Sequence, residues 1–312
     1  MDQATVVGLG SVVVDEQMFL ERIPAEDEKE HATLVRRQIG GPVPTALAVL
    51  RRFGHRCWLI SPWGHDSAGD AIEHDLSTTG IGFSPDCRSE HRHSGFAHVW
   101  ITRGSGSRTI VAHQATWNSF QLAEADHKAL TNCRWLHLDG TGGELAMAAA
   151  DTVRRHSGRI MVDAGSPKKA TASLIPLASV FSFPERFARQ FFDTDDVVHA
   201  GRRVLQLGAG AAVCTRGAQG AVVFVEDRVI HVPAFTVNTI DSTGAGDVFC
   251  GGVMAGLLDG ESIVEAVRIG AAAAALKCQQ VGNRSALPDR ARIKALLAKE
   301  QPLTRDEPSR GE

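Results

Sequence analysis

Short apolar runs alternate along this chain with amphipathic stretches, and glycine or aspartate stands at most of the joints. An apolar run at 5–9 ends in Gly8-Leu9-Gly10-Ser11 and predicts a strand and a turn. A polar, charge-rich segment follows at 21–38. Gly40-Gly41-Pro42 then opens an amphipathic helix at 43–53, closed by Gly54. A strand at Cys57–Ile60, a turn at Gly64-His65-Asp66 and a helix at 68–79 come next. Further strands are expected at Trp135–Leu138, 160–162, 180–183 and 211–215. Strands alternating with helical stretches predict an α/β fold with a mainly parallel sheet. Two hairpins interrupt the pattern: 96–102 with 108–113, around Arg103-Gly104-Ser105-Gly106-Ser107, and 219–225 with 228–233. The chain then reads as helical at Ala245–Leu258, Ile263–Cys278 and 289–299. The polar end, 301–312, carries Pro302 and Pro308 and is expected to be a disordered tail.

The segments 10–22 and 94–113 do not fit β-α alternation. They predict a small β-sheet projecting over one end of the main sheet. Open α/β sheets bind ligands at the carboxyl ends of their strands, so such a lid would exclude water from a reaction there.

Composition narrows the classes. With 312 residues, 43% of them hydrophobic, the chain is large enough for one α/β domain or one domain and a small accessory piece. The formal net charge of −3 and the absence of a basic run argue against a nucleic-acid surface. No apolar run reaches the roughly 18–20 residues of a membrane span. Six scattered cysteines without a C-x-x-C pair, and an N-terminus with Asp2 and no basic leader, fit reduced thiols in a cytoplasmic protein. His91, His93 and His98 lack a paired ligand motif and read as exposed histidines rather than metal ligands.

The candidate chemistry concentrates in Asn238-Thr239-Ile240-Asp241-Ser242-Thr243-Gly244-Ala245-Gly246-Asp247-Val248-Phe249. Gly244, Ala245 and Gly246 leave backbone N–H groups free to point outward where a helix starts, and a helix start attracts anions. Asp247 falls in the first turn. A carboxylate beside an anion hole is unfavourable for binding alone. It is useful if it removes a proton from a hydroxyl while the hole holds the phosphoryl group under attack. In isolation, G-A-G-D is as compatible with a packing turn and a dipole partner. There is no G-x-x-x-x-G-K-[ST], so a P-loop kinase is excluded, and Gly8-x-Gly10 with Val13 is a poor dinucleotide fingerprint.

The longer string D-S-T-G-A-G-D-V-F, followed by Gly251-Gly252, resembles the C-terminal signature of the ribokinase-like, or phosphofructokinase B, carbohydrate kinases, with Ser242 in place of a Thr. The resemblance runs along nearly the whole chain. Gly8-Leu9-Gly10-Ser11 leads to Asp15, and Gly40-Gly41-Pro42-Val43-Pro44-Thr45 is similar to the G-G-x-x-x-N signature, with Thr45 for Asn. Trp63-Gly64-His65-Asp66-Ser67-Ala68-Gly69 resembles G-x-D-x-x-G, and Gly106-Ser107-Arg108-Thr109-Ile110 resembles the G-x-R-T lid strand. Ser182-Phe183-Pro184-Glu185 stands where the family has N-x-x-E, with Ser182 for Asn. Thr215-Arg216-Gly217-Ala218-Gln219-Gly220 resembles the nucleotide-binding T-x-G-x-x-G turn. The string Ser107–Val111, with 135–138, looks like ketohexokinases; 40–42 and 275–289 look like the sulfofructose kinase branch. Both point to a ketose-type substrate.

The resemblance implies a Rossmann-like three-layer α/β/α core with a β-sheet lid, the lid strands at about 12–38 and 92–114 of a kinase domain at 1–300. It implies ATP-dependent phosphorylation of a small sugar. In that reading Asp247 is the general base, and the backbone of Gly244, Ala245, Gly246 and Asp247 holds the phosphoryl group. Asp15, Gly40, Gly41, Thr45 and Arg108 contact the sugar, and Thr215, Gly217 and Gly220 the nucleotide. Arg108 is equally compatible with a solvated hairpin residue, and Lys29 with a wet Glu28-Lys29-Glu30 surface. ATP and Mg²⁺ are expected, with Glu185 in an outer shell of the metal. Asp241 and Thr243 match positions that bind a monovalent cation, K⁺, in several relatives, although Asp241 could equally cap the turn. Pairing of lid strands implies a homodimer, which exposed sheet edges also favour. Two other functions fit the same motifs: a nucleoside kinase, with Phe19, Trp100 or Trp117 as the wall for a base, and a kinase-fold sugar sensor without turnover.

Overall fold

The computed structural model describes residues 5–104, 108–118 and 120–299, and the backbone of 305–307. The short apolar runs become the strands of the main sheet. Seven parallel strands stand in the spatial order Gly82–Phe83, Cys57–Ile60, Val6–Leu9, Trp135–Leu138, Arg159–Asp163, Val180–Pro184 and Ala212–Thr215. Antiparallel strands Ala221–Val225, Arg228–Val232 and Arg305–Glu307 complete the sheet. Within the tail expected to be disordered, 301–312, the backbone of Arg305–Glu307 thus pairs as an edge strand instead, and the rest of that segment lies outside the described residues. Val6–Leu9 and Trp135–Leu138 are buried at every position, as strands covered on both faces must be.

Helices cover the faces. Pro42–Arg52 packs on the sheet and on Ala245–Leu258, which in turn packs on Ile263–Cys278. The last two helices approach with their backbones nearly in contact. A Cβ on Gly252 would come within 2.8 Å of the Gly270 Cα, and one on Gly256 within 2.8 Å of the Ala266 Cα. Small residues thereby give Ala245–Leu258 a fixed seat in the core.

A separate sheet forms the projection expected from 10–22 and 94–113. Its order is Leu34–Gly40, Val13–Leu20, Gly95–Thr102, Arg108–His113. The first of these strands uses the end of the polar segment at 21–38. Alternation is clear in Gly95–Thr102, whose Ala97, Val99 and Ile101 pack with Phe19 into a small cluster of their own. The fold is therefore an α/β arrangement with a mostly parallel main sheet and a small separate sheet, as the resemblance implied. No described helix is long and apolar enough to cross a membrane, and the six cysteines form no disulfide.

Candidate active site

The carboxyl ends of the parallel strands carry a row of polar residues. Asp139 follows Leu138, Asp163 ends its strand, and Glu185 follows Pro184. Asp139 is 1% exposed and accepts from the Ser11 N–H at 2.9 Å and the Thr141 N–H at 2.8 Å. Lys168 braces it, donating to the Asp139 carbonyl at 2.7 Å and to Thr141 Oγ1 at 3.0 Å.

Ala245–Leu258 starts in the middle of this row. Gly244 caps it at φ 75°, a left-handed conformation in which a side chain is strained. The first intrahelical bond runs from Val248 N–H to the Gly244 carbonyl at 2.9 Å. The Gly246 and Asp247 N–H groups precede it and have no carbonyl one turn back. A Cβ on Gly246 would meet nothing within 4 Å, so the side-chain face of this residue is open. The Ala245 N–H is turned instead onto the Ser242 carbonyl at 3.2 Å, which narrows the expected anion hole to its neighbours.

Asp247 keeps some surface, yet protein atoms surround its carboxyl group. Burial pushes its pKa up; the nearby Arg108 opposes this and Asp139 adds to it. Asp163 is also pushed up, by burial and then by Asp247, and the Cys250 thiol bonds to it. From the lid strand Val13–Leu20, Asp15 turns into the same space. It is 8% exposed, and its pKa is pushed up to about 7 by burial and by Asp247, against Arg284, Arg108 and a hydrogen bond from Asn283. Gly40 makes this placement possible, since a Cβ there would fall 2.1 Å from Asp15 Oδ2. Gly41 is the cap of Pro42–Arg52. Arg108 comes in from the outer lid strand, 3.5 Å from the Ser242 carbonyl.

Thr45 is fully buried, and its Oγ1 accepts from Arg284 at 3.4 Å. The hydroxyl thus has no exposed surface and is capped by Arg284. Arg284 is also held by Asp75, with Nε at 3.1 Å and Nη2 at 3.0 Å from Oδ2. Asn283 beside it donates from its side chain to the Ile39 carbonyl at 3.3 Å, and its backbone N–H reaches Gln38 Oε1 at 2.8 Å. The Asn283 Oδ1 is buried without a partner.

On the other side of Gly246 lies a cavity of about 500 Å³, lined by Thr215, Gly217 and Gly220, by Ala245 and Gly246, and by apolar residues including Val237 and Phe249. The structure thus joins the T-x-G-x-x-G turn to the start of the Asp247 helix. Glu185 opens a short helix beside that turn and accepts from Arg216 Nε at 2.6 Å. Ser182 is 2% exposed and faces the Cys250 thiol. A larger hollow, about 780 Å³ around Trp58 and Lys128 at the sheet edge, contains none of these residues.

Other expected residues stand elsewhere. Lys29 is exposed. Of the candidate aromatic walls, Phe19 is spent on the lid's own cluster, Trp117 stacks edge-on against Phe120 at 5.8 Å, and Trp100 lies between Met18 and Thr109 in the lid. His93 lies against His113 with ring centres 4.3 Å apart, and His98 Nδ1 is 3.4 Å from Glu16. Asp241 is bound by Lys277. The residues that motif reading missed are Asp139 and Asp163 at strand ends, Lys168 in the loop after Arg159–Asp163, and the roles of Asn283 and Arg284. Asp139 and Asp163 carry one sequence signal, a polar residue directly after an apolar run; Lys168, Asn283 and Arg284 carry none.

Comparison with known proteins agrees with this fold. The family profile "pfkB family carbohydrate kinase" matches residues 3–290. Mouse ketohexokinase is 23% identical over 290 residues, covering 89% of this chain and 97% of its own. Arabidopsis thaliana ribokinase, solved with ribose and ATP, superposes with a TM-score of 0.83 at 22% identity, covering 95% of this chain and 99% of that one. An E. coli ribokinase II, solved with ATP and Mg²⁺, superposes at 0.79 with 20% identity, covering 95% and 100%. The chain belongs to the pfkB family of carbohydrate kinases, which are ATP-dependent phosphotransferases.

Proposed function

We propose that this protein transfers the γ-phosphoryl group of ATP to a hydroxyl of a small ketose or related sugar, with Asp247 as the general base. One observation carries the reading: Asp15 and Asp247 lie close enough for the charge of Asp247 to act on Asp15, Arg108 and Arg284 act on both carboxylates, and Asp247 stands in the first turn of a helix whose Gly246 and Asp247 N–H groups precede its first intrahelical bond. A sugar seated there gives Asp15 hydroxyls to accept from and presents another hydroxyl to Asp247. ATP in the neighbouring cavity places its γ-phosphate at Gly246.

In the transfer, Asp247 takes the proton of the attacking hydroxyl while that oxygen bonds to the γ-phosphorus. The bond from phosphorus to the β,γ-bridging oxygen breaks, and the electron pair leaves with ADP. The Gly246 and Asp247 N–H groups, with Arg108, face the charge on the phosphoryl oxygens. The raised pKa of Asp247 makes it a better proton acceptor than an exposed carboxylate. Mg²⁺ would offset phosphate charge. Among the described residues no group of three His, Cys, Asp or Glu side chains encloses a metal, so phosphates and water would hold the ion, with Glu185 in an outer shell. We also place the protein in the cytoplasm and as a homodimer through its lid sheets.

The test is ADP release with Mg·ATP against fructose, tagatose, sulfofructose, ribose, 2-keto-3-deoxygluconate, fructose 6-phosphate and adenosine. Selective turnover of a ketose is the expected result. Turnover of adenosine alone would replace it with a nucleoside kinase, and sugar binding without turnover with a sensor.

A further inference from the structure

The resemblance implies a monovalent cation at the loop that leads into the anion hole, and the residues here do not fit that ion. A cation at this point needs the Asp241 carboxylate and main-chain carbonyl oxygens as ligands. Lys277 already takes them. Its side chain has no exposed surface, and its Nζ donates to the Asp241 carbonyl at 2.9 Å and lies 3.2 Å from Asp241 Oδ2. The remaining capacity of the carboxylate is used by the Thr243 N–H, at 2.8 Å from Oδ1, and the Gly282 N–H, at 3.1 Å from Oδ2. Asp241 is itself 6% exposed. A second positive charge would enter a closed shell beside an ammonium.

Lys277 reaches this point because it is the penultimate residue of Ile263–Cys278. The same helix end fixes the loop from behind, since the Cys278 carbonyl accepts from the Ile240 and Asp241 N–H groups at 2.7 and 3.1 Å. Two segments of the site therefore meet on one ion pair. The 241–244 loop sets Gly244 and the start of the Asp247 helix. The 282–284 loop carries Asn283 and Arg284 toward Asp15. Burial works against both charges. For Asp241 the Lys277 ammonium and the N–H donors outweigh it and hold the carboxyl below its usual range. For Lys277 burial prevails and its pKa is lowered, with Asp241 opposing. The ionised carboxylate at contact distance decides the pair in favour of the ammonium.

We propose that the Lys277 ammonium is a built-in, covalently tethered replacement for the activating monovalent cation, so that the anion hole is organised without K⁺. It resembles K⁺ in charge and compactness and binds the same kinds of oxygen. Lys277 is thus a positioning residue, acting on the phosphoryl group through Asp241 and Gly244. This rests on the kinase reading above, and the test separates the two.

Two readouts are taken in KCl and in choline chloride at equal ionic strength: ADP release with the best sugar, and the melting temperature without substrate. The wild-type protein is expected to change by less than about twofold in turnover and not at all in melting. Activation by K⁺ of several-fold, or a K⁺-specific rise in melting, overturns the proposal without any variant being needed. Lys277→Ala frees the oxygens around Asp241. It is expected to lose roughly tenfold or more of turnover in choline and to regain part of it in K⁺ or NH₄⁺. Lys277→Met, which keeps the packing and removes the charge, is expected to lose turnover without rescue. Full activity of Lys277→Ala in choline, or no response of it to K⁺ in either readout, overturns the proposal. If no sugar is phosphorylated, the kinase reading fails and the melting comparison still judges Lys277.

Discussion

Asp15 is a carboxylate held where its own charge is unwelcome. Burial and Asp247 push its pKa up to about 7 from the ordinary 3.8. An acid whose folded pKa is raised binds its proton more tightly in the folded state. Its contribution to stability therefore falls as pH rises from about 4 to about 7 and stays low above that. At 1.4 kcal/mol per unit the deficit above pH 7 is on the order of 4 kcal/mol. Asp15→Asn removes the charge while keeping the shape. It is expected to raise the melting temperature by a few degrees at pH 8, with the gain vanishing toward pH 4. The same change should raise the KM for sugar at least about tenfold, since an amide accepts less well from hydroxyls. An unchanged melting temperature at pH 8 would show that the site does not strain this carboxylate.

At the scale of elements, the helix bearing Asp247 is fixed by contact with its neighbour. With Gly252 against Gly270 there is no room for a side chain. Gly252→Leu is predicted to cost about 3 kcal/mol or more in urea unfolding and to lower kcat by displacing Asp247. A fully stable, fully active variant would contradict the helix packing described here. The elements also show how much the sequence reveals. Buried parallel strands announce themselves as apolar runs, and the G-A-G-D turn marks a helix start, so both were readable. The helices Glu124–Asn132, Glu144–Arg155, Glu185–Phe192 and Val197–Gln206 were not delimited by their pattern. The chemistry was legible where neighbours in sequence make it, as in Gly244 to Asp247. It was not legible where the chain must first close on itself. Ser11 and Asp139 are 128 residues apart, and Asn283 and Gln38 are 245 apart. Each is an ordinary polar residue until the sheet and its lid bring them together. Lys277, a lysine one residue from a helix end, is fully buried, and nothing next to it in sequence announces that. Thr45 stands where the signature has Asn, and its burial under Arg284 shows only in the fold.

At the scale of the whole molecule, the lid sheet exposes more apolar surface than a solvated projection requires. By register Val35, Phe96 and Val111 share one face, and they are 59%, 38% and 57% exposed. A second copy of the lid would cover them. Val111→Glu and Val35→Glu together are expected to shift sedimentation from dimer to monomer; a wild-type monomer at micromolar concentration would remove the dimer from the account. The central claim concerns the base. The measurement that tests it most directly is sugar-dependent ADP release by Asp247→Asn, with calorimetric binding of sugar and of Mg·ATP to the same variant. The account predicts that kcat falls about a thousandfold or more while both ligands still bind. In the wild type it predicts turnover lost on acidification above the usual carboxylate range, because the raised pKa of Asp247 leaves it protonated there. An Asp247→Asn variant that turns over like wild type would contradict the assignment.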